Sequence, residues 1–323
     1  MMQSGAVLIN QLRQNPIQVA RSLLALSTLI TIAATSDKSL FRLVLGAEDV
    51  IHCDGVARVG AYCISPSTHI ATAMGVVICL WVISGILPRW SALPHAWFAF
   101  SLDVAISIPE GGDQVNHNLT FLIVVICILD GRGNGWSLNP GAISMWNEKA
   151  SLYKWAVSFS LVAIQVQISI IYLHAALGKV AVREWQEGSA FYYIINGQFG
   201  LPRIFDSIGA VFSAPVLTVG VSWGVIALEL ILGIAVLLPN RIRISIITLG
   251  VLFHIGIIVA MGLWSFGLAM FACLVILTIK LDNNGYHSIL PIIKRGHSPH
   301  ASNGKQPSAY KNNARMSPEL QNE

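Results

Sequence analysis

Charge is what this chain has least of. Only 11% of its 323 residues are Asp, Glu, Lys or Arg, against about a quarter in ordinary soluble domains. Fully 54% are hydrophobic, and the mean hydropathy is +0.64. That balance excludes a soluble globular domain and leaves no basic surface for nucleic acid. The short motifs of several common chemistries are missing too. No phosphate-cradling glycine loop precedes a Lys-Ser/Thr pair, and Asp130-Gly131-Arg132-Gly133-Asn134-Gly135 reads as a turn at a helix end. Gly-x-Ser-x-Gly, His-Glu-x-x-His and Cys-x-x-Cys are absent, so hydrolase and zinc readings lack support and no metal site is expected.

What is present is a series of apolar segments, recurring from Val19 to Ile279. Segments of about 17 to 25 apolar residues must satisfy their backbone hydrogen bonds internally, as helices. The expected fold is therefore all-α, a polytopic membrane helical bundle of about eight transmembrane helices near 18–35, 69–87, 91–108, 114–130, 155–178, 214–238, 244–262 and 266–280. The last two are alternatively one helix broken at Gly262-Leu263-Trp264-Ser265-Phe266-Gly267. Residues 1–17 form an amino-terminal tail, 18–280 the transmembrane domain, and 281–323 a polar tail whose Asn, Ser, Pro, His and Lys content predicts disorder. The first apolar segment reads as a retained anchor. With both termini in the cytoplasm, the inner loops and tails hold 14 of the 20 basic residues, as the positive-inside rule requires. Residues 113–118 and Lys179 then face the same, outer side.

Of the five cysteines, Cys79, Cys127 and Cys273 sit in apolar runs and read as packing residues. Cys53 and Cys63 share an outer loop, where they either close a disulfide or stand as two thiols.

Two polar inserts interrupt the oil. Lys179 ends the fifth helix, and Lys179, Ala176, Tyr172, Ser169 and Gln165 recur at spacings of 3, 4, 3 and 4, a single stripe that must face the bundle rather than lipid. Snorkelling to the headgroups, small-residue packing, or a desolvated lysine acting as a base all fit that position. The second insert, Asp113-Gln114-Val115-Asn116-His117-Asn118, opens the fourth helix. Asn116 or Asn118 is a candidate cap, Gly111-Gly112 a tight turn, and Glu110, Asp113 and Asp103 supply carboxylates for a proton-handling pocket around His117. A single His at a helix start is nevertheless more often structural than catalytic. Deeper in the chain, Glu229 and His254 on adjacent antiparallel helices are expected to hydrogen-bond to each other, as structural glue or as a proton path.

Asn116-His117 before an apolar helix, then Tyr172-x-x-Ala175-x-x-x-Lys179, Trp185-x-x-Gly188, Glu229, Arg241 or Arg243, and Phe253-His254, resemble the HTTM domain shared with vitamin K-dependent gamma-carboxylases. Within that group, Ala20-Arg21-Ser22-Leu23-Leu24-Ala25-Leu26, the Cys53/Cys63 pair and the run Gly112 to Thr120 most resemble the bacterial sporulation-delaying protein B family. The resemblance implies a protein of the bacterial cell membrane that matures a secreted peptide toxin, with the toxin precursor and a small accessory protein as partners. It implies Lys179 as a catalytic base and His117 beside it, with Asn116, Asp113, Tyr172, Gln165, Glu229 and His254 as the supporting polar pocket, and a quinone or quinol as a possible cofactor. Carboxylases continue into a large luminal domain that grips glutamate, which this sequence does not supply after residue 280, so glutamate carboxylation is not the first expectation. A non-enzymatic scaffold for the precursor and a quinol-dependent gamma-carboxylase-like enzyme remain the alternatives. A proton-coupled transporter built on Glu229 and His254 would call for an internal repeat, and none is evident.

Overall fold

The computed structural model describes residues 15–41, 51, 53–107, 110–137, 150–197, 209 and 213–279. The tail from 281 and residues 1–14 of the amino-terminal tail lie outside the described residues.

Among these residues the chain is helical, apart from one isolated bridge between Ile86 and Asn134. The long helices are α1 (Pro16–Ala34), α4 (Thr68–Ser84), α5 (Pro88–Ala105), α6 (Gly111–Ile128), α7 (Ala150–Val180), α10 (Pro215–Gly233), α11 (Asn240–Met261) and α12 (Trp264–Leu277). Short helices sit in the connections: α2 (Asp37–Phe41), α3 (Ala61–Ile64), α8 (Arg183–Gln186) and α9 (Ala190–Asn196). Their boundaries follow local chemistry. Pro16, Pro88 and Pro215 occupy the first helical turn, where a missing N–H is harmless. Gly85 and Gly262 close α4 and α11 in the left-handed backbone region, which glycine enters without steric penalty. Gly262 makes α11 and α12 two separate helices.

Each of the eight expected helices is thus present within a few residues, but four are long and apolar enough to cross a membrane: α1, α7 from Ala156, α10 and α11. Helices α4 and α12 are apolar and shorter. Helix α5 carries Arg89, Pro94, His95 and Asp103, and α6 opens on Asp113, Asn116 and His117, so neither is uniformly oily.

Helix α1 is the hub, packing on α12, α4 and α6. The main core joins Ile17, Ala20 and Leu24 of α1 to Leu119 and Ile123 of α6, Leu161 and Ile168 of α7, and the small and aliphatic face of α12 from Ala269 to Leu277. A second core packs Ile32 and Phe41 with Tyr62, Ile78, Phe98 and Leu102. The outward faces of α10 and α11 leave Val216, Trp223, Ile244, Leu249 and Leu252 exposed, the surface expected of helices that face lipid.

Close approach is secured by glycine at several positions, Gly75 and Gly112 among them. A methyl group on Gly75 would enter the ring of Phe98. One on Gly112 would stand 2.8 Å from the Cα of Phe266, so α6 and α12 meet backbone to backbone there. Gly111 and Gly112 open the helix rather than forming a turn, because Glu110 occupies the cap position and the Asp113 carboxylate accepts from its N–H at 3.3 Å. Neither Asn116 nor Asn118 is the cap.

One end of the bundle is tied by buried polar contacts. Arg132 grips both Asp130 oxygens, at 2.8 and 2.6 Å, and also donates to Asn15 at 2.8 Å. Asn15 donates to the Trp136 carbonyl, and the Trp136 indole to that of Ile83. Arg21 donates to Gln18 and Ser91, and Gln18 in turn to the Val82 carbonyl. The run 130–135 is therefore more than a turn: it clasps α1 to the α4–α5 connection. The remaining cysteines, Cys79, Cys127 and Cys273, are buried as expected of packing residues, and Cys53 and Cys63 are disulfide-bonded with Cα atoms 5.6 Å apart.

Two stability outcomes follow. Gly112→Ala forces the α6–α12 contact apart and costs about 1–3 kcal/mol, whereas Gly111→Ala, which meets only the Phe266 ring edge at 3.4 Å, is neutral or mildly stabilising; thermal unfolding of the detergent-purified proteins compares them. Arg132→Met strands the buried Asp130 carboxylate and lowers stability by about 3–5 kcal/mol, read as loss of folded protein in a denaturant titration.

Candidate functional site

The polar stripe of α7 faces the bundle interior. Gln165, Tyr172 and Ala176 are buried, and Ser169 is half-buried. Gln165 donates to the carbonyls of Ile279 and Ile276 at 2.8 and 3.4 Å, so its task is to satisfy the open end of α12, whose last carbonyls have no helical partner. His174, one residue off the stripe, is exposed.

Two pairs hang on the same stripe. The Tyr172 hydroxyl lies 3.1 Å from Nε2 of His254, with Phe253, Phe266 and Phe271 packed around the imidazole. Nδ1 of His254 is buried without a partner among the described residues. Seven residues further along, the Lys179 ammonium donates to both Glu229 oxygens at 2.8 Å and stands 5.4 Å from the centre of the Trp185 ring. The side chains of Lys179 and Glu229 are 23% and 6% exposed, so this ion pair is largely desolvated and strongly held. The expected Glu229–His254 bond is not formed. Glu229 turns to the full charge of Lys179, and His254 takes the neutral hydroxyl of Tyr172, the cheaper arrangement for burying one carboxylate and one imidazole.

The insert before α6 builds a second cluster. Nδ1 of His117 lies 2.8 Å from Oδ2 of Asp103 on α5, with the rings of Phe100 and Phe121 against the imidazole. The pair is partly open, 26% and 17% exposed. Asn116 points inward instead, donating to Ser27 and Thr28 of α1 at 3.0 and 3.1 Å. Ser27 donates to the carbonyl of Ser265, Ser265 to the carboxylate of Glu110 at 2.6 Å, and Thr31 to Asp113 at 3.4 Å. The cluster therefore belongs to α1, α5, α6 and α12 together.

Both clusters lie at one end of the bundle. Gln165 is bonded to the final turn of α12, and fourteen residues of helix to Lys179 rise about 21 Å, the length of α12 itself. Lys179 thus reaches the level where α12 begins and Ser265 meets Glu110. The two clusters share no hydrogen-bond partner, however: His117 is held by Asp103 and Lys179 by Glu229. Beside Lys179, a groove of about 390 Å³ is lined by Val182, Glu184, Trp185, Ala190, Tyr193 and Ile194.

Sequence reasoning found Lys179, His117 with Asp103 among its nearby carboxylates, Asn116 and Asp113, and missed the partners of Lys179, Asn116 and Asp113. Ser27, Thr28 and Thr31 of α1 are separated in sequence from α6 by some ninety residues, yet their 3–4 spacing along one face of an apolar helix is a visible sign of a polar seam.

The sequence that builds this arrangement has relatives. Over 276 residues, 84% of this chain and 83% of the relative, the sequence is 31% identical to sporulation-delaying protein SdpB of Bacillus subtilis (strain 168). Over 270 residues, 82% of this chain and 85% of the relative, it is 24% identical to the uncharacterized protein YitO of the same strain. No solved structure matches it. Residues 19–284 match the HTTM domain, a span that runs from the first turn of α1 through α12 and takes in every residue of both clusters: the chain belongs to the HTTM domain family.

Proposed function

We propose that this protein is a multipass component of the bacterial cell membrane required for production of a secreted peptide toxin of the sporulation-delaying type, acting on the toxin precursor at the bundle end that carries Lys179 and His117. The likeness to SdpB along 84% of the chain supports the pathway. The single observation that carries the site is Lys179, an ammonium inside an apolar bundle, held by both oxygens of a buried Glu229. Charges in such places are unfavourable and mark functional positions.

The topology completes the proposal: the eight long helices all cross, 18–280 is the membrane domain, and 1–17 and 281–323 are cytoplasmic tails. The Cys53–Cys63 disulfide supports an extracytoplasmic position for its loop, since such bonds persist in oxidising compartments. A precursor already exported would then reach Lys179 from outside. As a base, Lys179 must first surrender a proton. Glu229 is the acceptor within hydrogen-bond reach, and Trp185 caps the ammonium from its other side. A quinol, the group the carboxylase likeness implies, has chemically suitable residues here. Nδ1 of His254, without a partner among the described residues and ringed by Phe253, Phe266 and Phe271, together with Tyr172 would hold a quinone oxygen and ring. When bound it would supply oxygen-linked redox chemistry; the protein's own part is to exclude water and to hold the proton between Lys179 and Glu229.

The second reading is a scaffold for the precursor and an accessory protein. It is favoured by the fact that His117 and Lys179 are each engaged by their own carboxylate rather than sharing one centre.

Replacement of Lys179 with Met separates the two. The catalytic reading expects a protein that still inserts and accumulates while active toxin in the medium falls by at least about 100-fold, as loss of a general base entails; undiminished toxin would remove Lys179 from the mechanism and leave the scaffold. Membrane-impermeant maleimide applied to intact cells after reduction is expected to label Cys53 and Cys63; their protection in intact cells and labelling only after lysis would reverse the topology.

A further inference from the structure

The Trp185 indole beside Lys179 belongs to α8, a single helical turn held by two ties. The first tie is to the end of α7, where the Val182 N–H donates to the Lys179 carbonyl at 3.0 Å and the Gln186 amide to the Val180 carbonyl at 2.8 Å. The second is to α10, and one hydroxyl makes it. Ser222 donates to the Gly188 carbonyl at 3.0 Å and accepts from the Phe191 N–H at 3.2 Å.

Ser222 departs from its neighbours in this. A hydroxyl inside a helix commonly returns to the carbonyl four residues earlier, and Thr218, Ser245 and Thr248 of α10 and α11 do so. Ser222, fully buried, reaches across to another element. The first N–H groups of a helix lack helical partners, and the residue that opens α9, Ser189, makes no capping bond and donates to the Glu184 carbonyl instead. Helix α10 therefore supplies the donor and the acceptor that the α8–α9 connection needs. Gly188 permits the approach. Its φ is +76°, and a methyl group on it would stand 3.0 Å from the Cα of Val219, so backbone meets backbone beside Ser222.

Two turns along α10, a rise of about 10 Å, Glu229 holds Lys179 through both oxygens. Ser222, Ile226 and Glu229 are all buried on the same face. The carboxylate that grips the ammonium and the turn that carries its aromatic neighbour are thus both fixed by α10. We propose that Ser222 is a positioning residue for Lys179, acting through Gly188 and Trp185: it keeps the indole over the ammonium, so that the amine stays turned to Glu229 and shielded from water. This rests on the reading that Lys179 does chemistry at this bundle end, and it names what holds the amine ready. It also accounts for the Trp185-x-x-Gly188 spacing, which places the indole one turn before the backbone that Ser222 grips.

The test measures the initial rate at which acetic anhydride acetylates Lys179, by mass spectrometry of the peptide that contains it, in purified full-length protein in phosphatidylcholine nanodiscs. Trp185→Leu is expected to raise that rate about threefold or more, as loss of a cation–π contact entails, while Trp185→Phe, which keeps a ring face, retains most of the protection. Ser222→Ala is expected to match Trp185→Leu, and Ser222→Cys, close to serine in shape but a weak donor and acceptor, to fall between it and the unaltered protein. The double variant Ser222→Ala with Trp185→Leu is expected to be no faster than Trp185→Leu alone, because both act on one indole. Ile78→Ala, which opens a cavity in the second core, loosens the fold and is expected to leave the rate unchanged. An unchanged rate in Trp185→Leu, or in every folded variant of Ser222, overturns the proposal. So do single effects that multiply in the double variant, a Trp185→Phe as fast as Trp185→Leu, and an Ile78→Ala as fast as Ser222→Ala. Toxin lost with Lys179→Met but a rate indifferent to Ser222 and Trp185 sinks this inference alone; the expected rates with full toxin output from Lys179→Met sink the catalytic reading alone.

Discussion

An ion placed among apolar helices must bring its own partner, because neither water nor lipid will supply one. That constraint orders this bundle. Lys179 holds Glu229, Asp103 holds His117, and Arg132 holds Asp130, and each pair fixes the relative position of two segments: α7 to α10, α5 to α6, and the loop after α6 to itself and to Asn15. Apolar packing alone would permit these helices to slide, since lipid offers hydrocarbon as good as a neighbouring leucine. These polar pairs remove that freedom, and the pairs of Lys179 and His117 do so at the end where chemistry is proposed. Structure and function therefore draw on the same few side chains, and a substitution at Glu229 would disturb both.

Helix α1 shows how a neutral seam does comparable work. Its apolar residues reach the main core through Leu24 and the second core through Ile32. Between those contacts Ser27, Thr28 and Thr31 supply hydroxyls to α6 and α12. Hydroxyls in this role are small enough to let helices approach closely and polar enough to fix their rotation. Glycine takes the same part where backbones touch, as Gly112 does against Phe266.

How much of this was legible beforehand depends on the range of the interaction. The helices were readable because each is a local matter of hydropathy and length, and their ends because Pro16, Pro88, Pro215 and Gly85 act on adjacent residues. The inward turn of the α7 stripe was readable from its period. Which side chain would take which partner was not. Glu229 and His254 lie on consecutive helices and looked like a pair, yet each found a partner on α7 instead, a choice decided by the rotation of three helices that no local pattern encodes. Asp130 and Arg132 were adjacent enough to see, but a glycine-rich run looks like a turn until the depth of its burial is known. The position of Gly112 failed for a related reason: glycine marks both a bend and a close contact, and only the presence of Phe266 tells them apart.

The short central helix has a further consequence. Helix α12 has 14 residues and is enclosed by α1, α6, α7 and α11, so it is about 21 Å long where a bilayer's hydrocarbon is about 30 Å thick. Its two ends are met by side chains of neighbours, Gln165 below and Glu110 above, so neither end has to reach a lipid headgroup. At its axis the bundle is thus closed by hydrogen bonds rather than by length, with polar side chains of α7 and of the start of α6 standing in for the turns that α12 lacks.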